Sequence, residues 1–438
     1  MESPPQTLLK ALCTERGLDV PAMVELFERT AARVIGTGSN SPTCSERTAK
    51  RWRAGDVNPD SLSSETRRVL EAAFGRPVSA LFAPAPDSTA PAYDLEHELD
   101  MTARDAQDAA SATAAASLSD TILEQYTDDV MTLARQYAST APLQAFHHGR
   151  SLQTQLHDLR DRTQVPVQQQ RLLELLGQTT ALLAASAFDL GSFDSARRLV
   201  RAADMYAESA RFDPLRAYCD GILAYLAYFQ GMPEEAVTKA RRAQSYGGLG
   251  DVARRRLLAI EARALGYLGD AEAAQHVIRM SEDVDTGVRD DLHDGIGGEF
   301  GFTPERLAMS SSSTALLAHN AAQAEHSARR ALDLIGQRPE EERSAHVLGG
   351  ASADLAMARL LANDVDGAAD ALVPLWGIPA DQRVTGVLAR TGQIQHYLTQ
   401  PAVRRAQTAR ELRGRVEEFT RTATAHQLTG PALLQLEA

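Results

Sequence analysis

The feature that most constrains this chain is a repeat. Gly191, Gly231 and Gly269 each have an alanine seven residues before them (Ala184, Ala224, Ala262) and another five residues after (Ala196, Ala236, Ala274). Twelve residues after them stand Ala203, Ala243 and Ser281. A fourth copy fits with His319 in the glycine place, flanked by Ser312, Ala324 and Ala331. A fifth uses Asn363, with Ala356, Ala368 and, at the last place, Leu375. The anchors lie 40, 38, 50 and 44 residues apart, so connections vary while the pattern around each anchor keeps register. Small residues at such spacings let two antiparallel helices approach closely, and glycine or asparagine supplies a left-handed turn between them. No period-two alternation of β-branched residues occurs between residues 120 and 438, so the expected fold is all-α.

Ahead of the repeats lies a different kind of segment. Leu8, Leu9 and Leu12 before Gly17 predict a short helix, and the stripe Met23, Val24, Phe27, Ala31 and Val34 predicts a second over 21–34. The glycine, serine, asparagine and proline of GTGSNSPT form a loop. Then comes CSERTAKRWRAG, closed by Gly55, with Ala49 and Trp52 on one face. A last helix, SSETRRVLEAAFG, opens on serine caps and turns Val69, Leu70 and Phe74 inward. Several short helices with one basic, single-tryptophan helix after a turn meet the requirements of a helix-turn-helix. One face anchors the helix, and the other offers Ser45, Arg47, Thr48, Lys50, Arg51 and Arg53 to phosphates and base edges. A solvated basic face on a small helical domain is the other reading of the same residues.

Charge is divided accordingly. The formal net charge is −13, but residues 1–80 carry +1 and residues 81–438 carry −14. Whole-chain acidity therefore does not exclude a DNA partner for the amino-terminal part. The three cysteines (Cys13, Cys44, Cys219) are far apart with no CxxC spacing, which offers neither a disulfide framework nor a zinc ribbon. The opening MESPPQTLLKALCTERG lacks a charged region followed by an apolar core, and no apolar run is long enough to span a bilayer. A cytoplasmic protein without a membrane partner is expected. Residues 84–120 begin proline-rich and end alanine-rich, which predicts a linker running into a helix.

Two resemblances follow from these residues. LAYFQGMPEEAVTKARRA and ALGYLGDAEAAQHVIRMSE resemble tetratricopeptide (TPR) repeats. ERTAKRWRAGDVNPDSLSSETRRVLEAAFGRPVSALFAP resembles the end of the helix-turn-helix in actinobacterial regulators of the phage-repressor-like (XRE) type, with Trp52, Gly55 and Phe74-Gly75-Arg76-Pro77-Val78 matching. The similarity extends to SDTILEQYTDDVMTLARQY, LLAASAFDLGSFDSARR, GGEFGFTPERLAMSSSSTALLA and the closing VTGVLARTGQIQHYLTQP. The chain departs from that pattern in its long GTGSNSPT loop and in lacking a glutamine-plus-small-residue start to the second helix. The resemblance implies a helix-turn-helix at 5–82, a linker at 83–119 and a TPR-like α-solenoid at 120–438. It also implies a dimeric transcriptional regulator that binds double-stranded operator DNA and senses a peptide, small-molecule or protein effector. A TPR protein-interaction adaptor with a degenerate, non-DNA-binding helix-turn-helix is the alternative.

In a TPR the first helix of each pair lines the concave groove. Counting back from the anchors places Gln178 and Phe188, then Tyr218, Tyr225 and Tyr228, then Arg256 and Arg263 on that surface. Three tyrosines beside two arginines would cradle an acidic or carboxylate-bearing effector. Alternatively, the tyrosines pack between repeats and the arginines pair with neighbouring acids. Catalysis finds less support. GIGGEFG has no strand before it and no GK[ST] end, so it reads as an inter-repeat loop. The acids of DVD and RDDLHDG read as solvated rather than metal-binding, His147-His148 has no partner at helical spacing, and MSSSS lacks a nucleophile elbow. Neither an enzyme nor a cofactor is expected.

Overall fold

The computed structural model of the chain describes residues 7–36, 41–85, 95–115, 117–401, 403–404 and 406–425. Part of the GTGSNSPT loop (37–40) and the start of the expected linker (86–94) lie outside these. Among the described residues the regular structure is helical, and the one extended pairing is an isolated bridge between Thr7 and Pro84. By contacts the chain divides into two compact units, residues 1–105 and 106–438.

The first unit holds α1 (Leu8–Glu15), α2 (Val20–Val34), α3 (Glu46–Ala54), α4 (Ser64–Phe74) and the single turn α5 (Val78–Leu81). Each of the first four helices opens on a side-chain cap, from Thr7, Asp19, Ser45 and Ser63. These oxygens accept from backbone N–H groups that have no partner inside the helix. Left-handed Gly55 and Gly75 end α3 and α4. Leu9, Met23, Phe27, Trp52, Leu70 and Leu81 meet in one core. The next helix, α6 (Leu95–Ala115), begins in the acidic stretch LEHELD, well before the alanine-rich end where the sequence placed it.

In the second unit, α7 (Asp120–Gln136) and α8 (Pro142–Arg162) precede five helix hairpins. These are α9 (Pro166–Asp189) with α10 (Phe193–Ala210), α11 (Asp213–Phe229) with α12 (Pro233–Gln244), and α13 (Asp251–Tyr267) with α14 (Ala271–Glu282). Two more follow, α15 (Pro304–Leu317) with α16 (Ala321–Gly336), and α17 (Ala345–Leu361) with α18 (Val365–Ala371). α19 (Thr385–Leu398) and α20 (Gln407–Arg421) close the order. Successive first helices α9, α11, α13, α15, α17 and α19 pack side by side, each also against its own partner.

The anchors behave as the repeat demands. Gly191, Gly231, Gly269, His319 and Asn363 are all left-handed, with φ of 80°, 74°, 80°, 55° and 61°. Each turn is closed by the same bond, from the N–H after the anchor to the carbonyl four residues before it: Ser192 to Ala187, Met232 to Ala227, Asp270 to Leu265, Asn320 to Ala315 and Asp364 to Arg359. This is the six-to-one bond of a Schellman cap, repeated five times. The small residues around the anchors, from Ala184 to Ala368, are wholly buried where helices cross, and Leu375 is buried with them.

The extra length between the third and fourth anchors forms a strap over 283–303, with a π-helical turn at Asp291–Ile296. Its acids divide: Asp283, Asp285 and Asp291 are exposed, as the sequence reading held, whereas Asp290 is buried and Asp294 half-buried. Asp290 accepts from the N–H groups of Leu292 (3.0 Å) and His293 (2.7 Å) and bonds to the His293 Nδ1. Asp251 accepts from the N–H groups of Thr286 and Gly287. A carboxylate binds several backbone donors at once, so these acids hold an irregular segment in shape. Left-handed Gly298 presses against the Ala134 carbonyl, where a Cβ would collide, and the Glu299 N–H donates to that same carbonyl (2.9 Å). The row of hairpins curls far enough for its ends to touch: Thr385 Oγ1 donates to the Asp189 carbonyl (2.9 Å) and Gln382 Nε2 to the Ser139 carbonyl (3.4 Å). No helix of the described residues is long and apolar enough to cross a membrane.

Candidate functional site

Because successive first helices face inward, the curl of the second unit encloses a cavity of about 720 Å³. That volume falls in the range of small-molecule sites. Its wall comes from α9, α11, α13, α15, α17 and α19, with the strap contributing Glu299 and Phe302.

Of the residues singled out from sequence, Phe188, Tyr218, Tyr225, Tyr228, Arg256 and Arg263 all line this cavity. Gln178 does not. It is buried with its Oε1 unpartnered. The tyrosines also pack between hairpins, as the alternative reading held: the Tyr228 ring stacks on Tyr267 at 5.1 Å and Tyr218 meets Phe300 at 4.9 Å. Among the described residues neither arginine pairs with an acid. Arg263, 7% exposed, donates to the Tyr228 hydroxyl (3.2 Å) and Ser310 Oγ (3.3 Å), leaving its Nε buried without a partner. Arg256, 3% exposed, lies over the Tyr218 ring at 4.3 Å, and its Nη1 is buried without a partner. Gly221 on α11 makes room for it, since a Cβ there would stand 2.7 Å from that Nη1.

Other wall residues were not found from sequence. Arg306 pairs with Glu299 (3.2 Å) and Arg390 with the buried Asp354 (2.9 Å), so these partly buried charges are balanced. Burial and the surrounding guanidiniums of Arg306, Arg390 and Arg263 push the His346 ring well below its ordinary pKa, which keeps it neutral. Arg306 stands thirteen residues before His319, the same place as Tyr218 and Arg256 before their own anchors. Extending the count to the fourth copy finds it.

Asp189, at the seam, accepts from the Tyr137 hydroxyl (2.9 Å). Burial first, and then the nearby Glu299 carboxylate, raise its pKa to about 7. The native state therefore holds this proton more tightly than the unfolded chain. Its contribution is greatest at pH of about 4 and below, falls as pH rises towards 7, and is flat above. His293 and His346 act in the opposite sense, being held neutral when the unfolded chain would take up a proton. Asp189→Asn removes only the first effect. The urea midpoint of Asp189→Asn minus that of the wild type is expected to grow between pH 4 and pH 7 (a span set by the ordinary carboxylate value and the raised one). Parallel curves would refute the assignment.

In the first unit, Ala49 and Trp52 hold α3 to its core, with the Trp52 ring 5.3 Å from Phe27. Arg47 and Lys50 are exposed and, among the described residues, form no ion pair. Ser45 is spent on capping: its Oγ accepts from the Thr48 N–H (3.2 Å) and shares a hydrogen bond with the Thr48 hydroxyl. Arg51 is exposed but leans on the helix end, donating to the Asp56 carbonyl (3.2 Å), and Arg53 is half-buried.

No protein-family model matches the chain, and no curated protein sequence matches it.

Proposed function

We propose that the chain is a sequence-specific DNA-binding transcriptional regulator of the XRE type, acting as a cytoplasmic homodimer, whose TPR-like repeat body binds an effector in its cavity. The observation that carries this reading is the two-faced α3. One face is locked into the core by Ala49 and Trp52, while Arg47, Lys50 and Arg51 stand in solvent beside it. A short helix fixed on one side and basic on the other is what major-groove recognition needs. The first unit carries few positive charges, so one copy alone would bind weakly and two copies on paired half-sites would bind well. The effector would act by favouring one arrangement of the dimer over another.

The adaptor reading draws on Arg51, whose guanidinium is turned onto Asp56 of its own helix end. Selection of a random duplex pool on the full chain separates the two. A regulator enriches one sequence family with two spaced half-sites and shifts it in a gel, whereas an adaptor enriches none even at low salt.

A further inference from the structure

The cavity holds two buried guanidiniums with no carboxylate against them. Among the described residues the Arg256 side chain forms no hydrogen bond or ion pair, and that of Arg263 is met only by a phenol and a serine hydroxyl. Both are more than nine-tenths buried, and both line the cavity. Stacking on Tyr218 satisfies the face of the Arg256 guanidinium and leaves its in-plane donors unused. Buried cations are otherwise paired in folded proteins, and here even the partly buried Arg306 and Arg390 are. A pair that lines an internal space without a carboxylate is a site prepared for an anion.

The residues between them fix what the anion is attached to. Tyr225 lies 5.8 Å from the Arg256 guanidinium, with its ring 5.4 Å from that of Tyr228, the Arg263 partner. On its other side the aromatic wall runs through Phe188, 6.3 Å from Tyr225, to Phe229, 5.1 Å from Phe188. Basic groups at one end and aromatic rings at the other match a carboxylate joined to a flat apolar body. We infer that the cavity binds a small aromatic or alkyl monocarboxylate, its carboxylate held by Arg256 and Arg263 and its body against Tyr225, Phe188 and Phe229. This deepens the reading of the cavity as the effector site, and its test uses no DNA, so the two can fail separately.

The experiment is calorimetric titration of the full chain with matched probes: indole-3-acetate, phenylacetate and octanoate, each against its neutral amide, with inorganic phosphate alongside. At least one acid is expected to bind, about 10–100-fold more tightly than its amide, the range of a charge-assisted contact. Arg256→Gln and Arg263→Gln are each expected to remove about 10-fold or more of the acid's affinity while leaving the amide's unchanged. Arg256→Lys, which keeps the charge in a form that cannot pair side-on, falls between. Thermal melting identifies any variant that fails to fold, and Gly221→Ala then serves in its place by displacing the Arg256 guanidinium. Equal binding of acid and amide, binding of phosphate alone, absence of binding by all probes, or unchanged acid affinity in folded variants would each overturn the inference.

Discussion

Trp52→Ala is expected to cost the first unit about 3–5 kcal/mol, the range for deleting a large aromatic from a packed core. The indole is 4% exposed and packs against Phe27, in a core shared by Leu9, Met23 and Leu70. A domain of this size has a total stability on the order of 5–10 kcal/mol, so the substitution removes much of it. The damage falls on α3 first, because Trp52 and Ala49 are its buried residues and Gly55 already ends it. The second unit has its own separate hydrophobic clusters, the largest built on residues 328–425. Two transitions are therefore expected in urea, one early and one at the wild-type midpoint, with operator binding lost alongside the first. A single wild-type transition would mean that Trp52 does not hold the unit together.

The helices were legible because their signals are local. Five anchor residues and the small residues around them specify a close-packed hairpin without reference to distant chain, and the left-handed turn can be read even through His319 and Asn363. The caps of the first unit are equally local. The groove register carried over to Tyr218, Tyr225, Tyr228, Arg256 and Arg263, since inward-facing positions recur with the repeat. What escaped depends on contacts across the curl. That Asp189 faces Glu299 depends on a strap pinned to α7 by Gly298, and that Arg390 meets Asp354 depends on how far α19 is carried round. Gln178 shared the register of Tyr218 and is nonetheless buried outside the wall. Within RDDLHDG, Asp290 was misjudged because its partners are the strap's own N–H groups, which no spacing rule displays.

The most direct test of DNA recognition by α3 is the affinity and salt dependence of Arg47→Ala with Arg51→Ala on a duplex selected by the full chain. Each contact to a base edge is worth about 1–3 kcal/mol, and each phosphate neutralised adds about 0.9 to the slope of log affinity against log salt. Neither arginine is buried, and Arg51 gives up only a carbonyl bond and a long ion pair with Asp56 at the surface, so the fold is expected to tolerate both changes. The double variant is expected to lose about 30-fold or more in affinity, with a slope shallower by about one to two for each bound head. Circular dichroism and urea midpoint are expected to stay at wild-type values. Unchanged affinity and an unchanged slope in the folded double variant would contradict DNA recognition by α3.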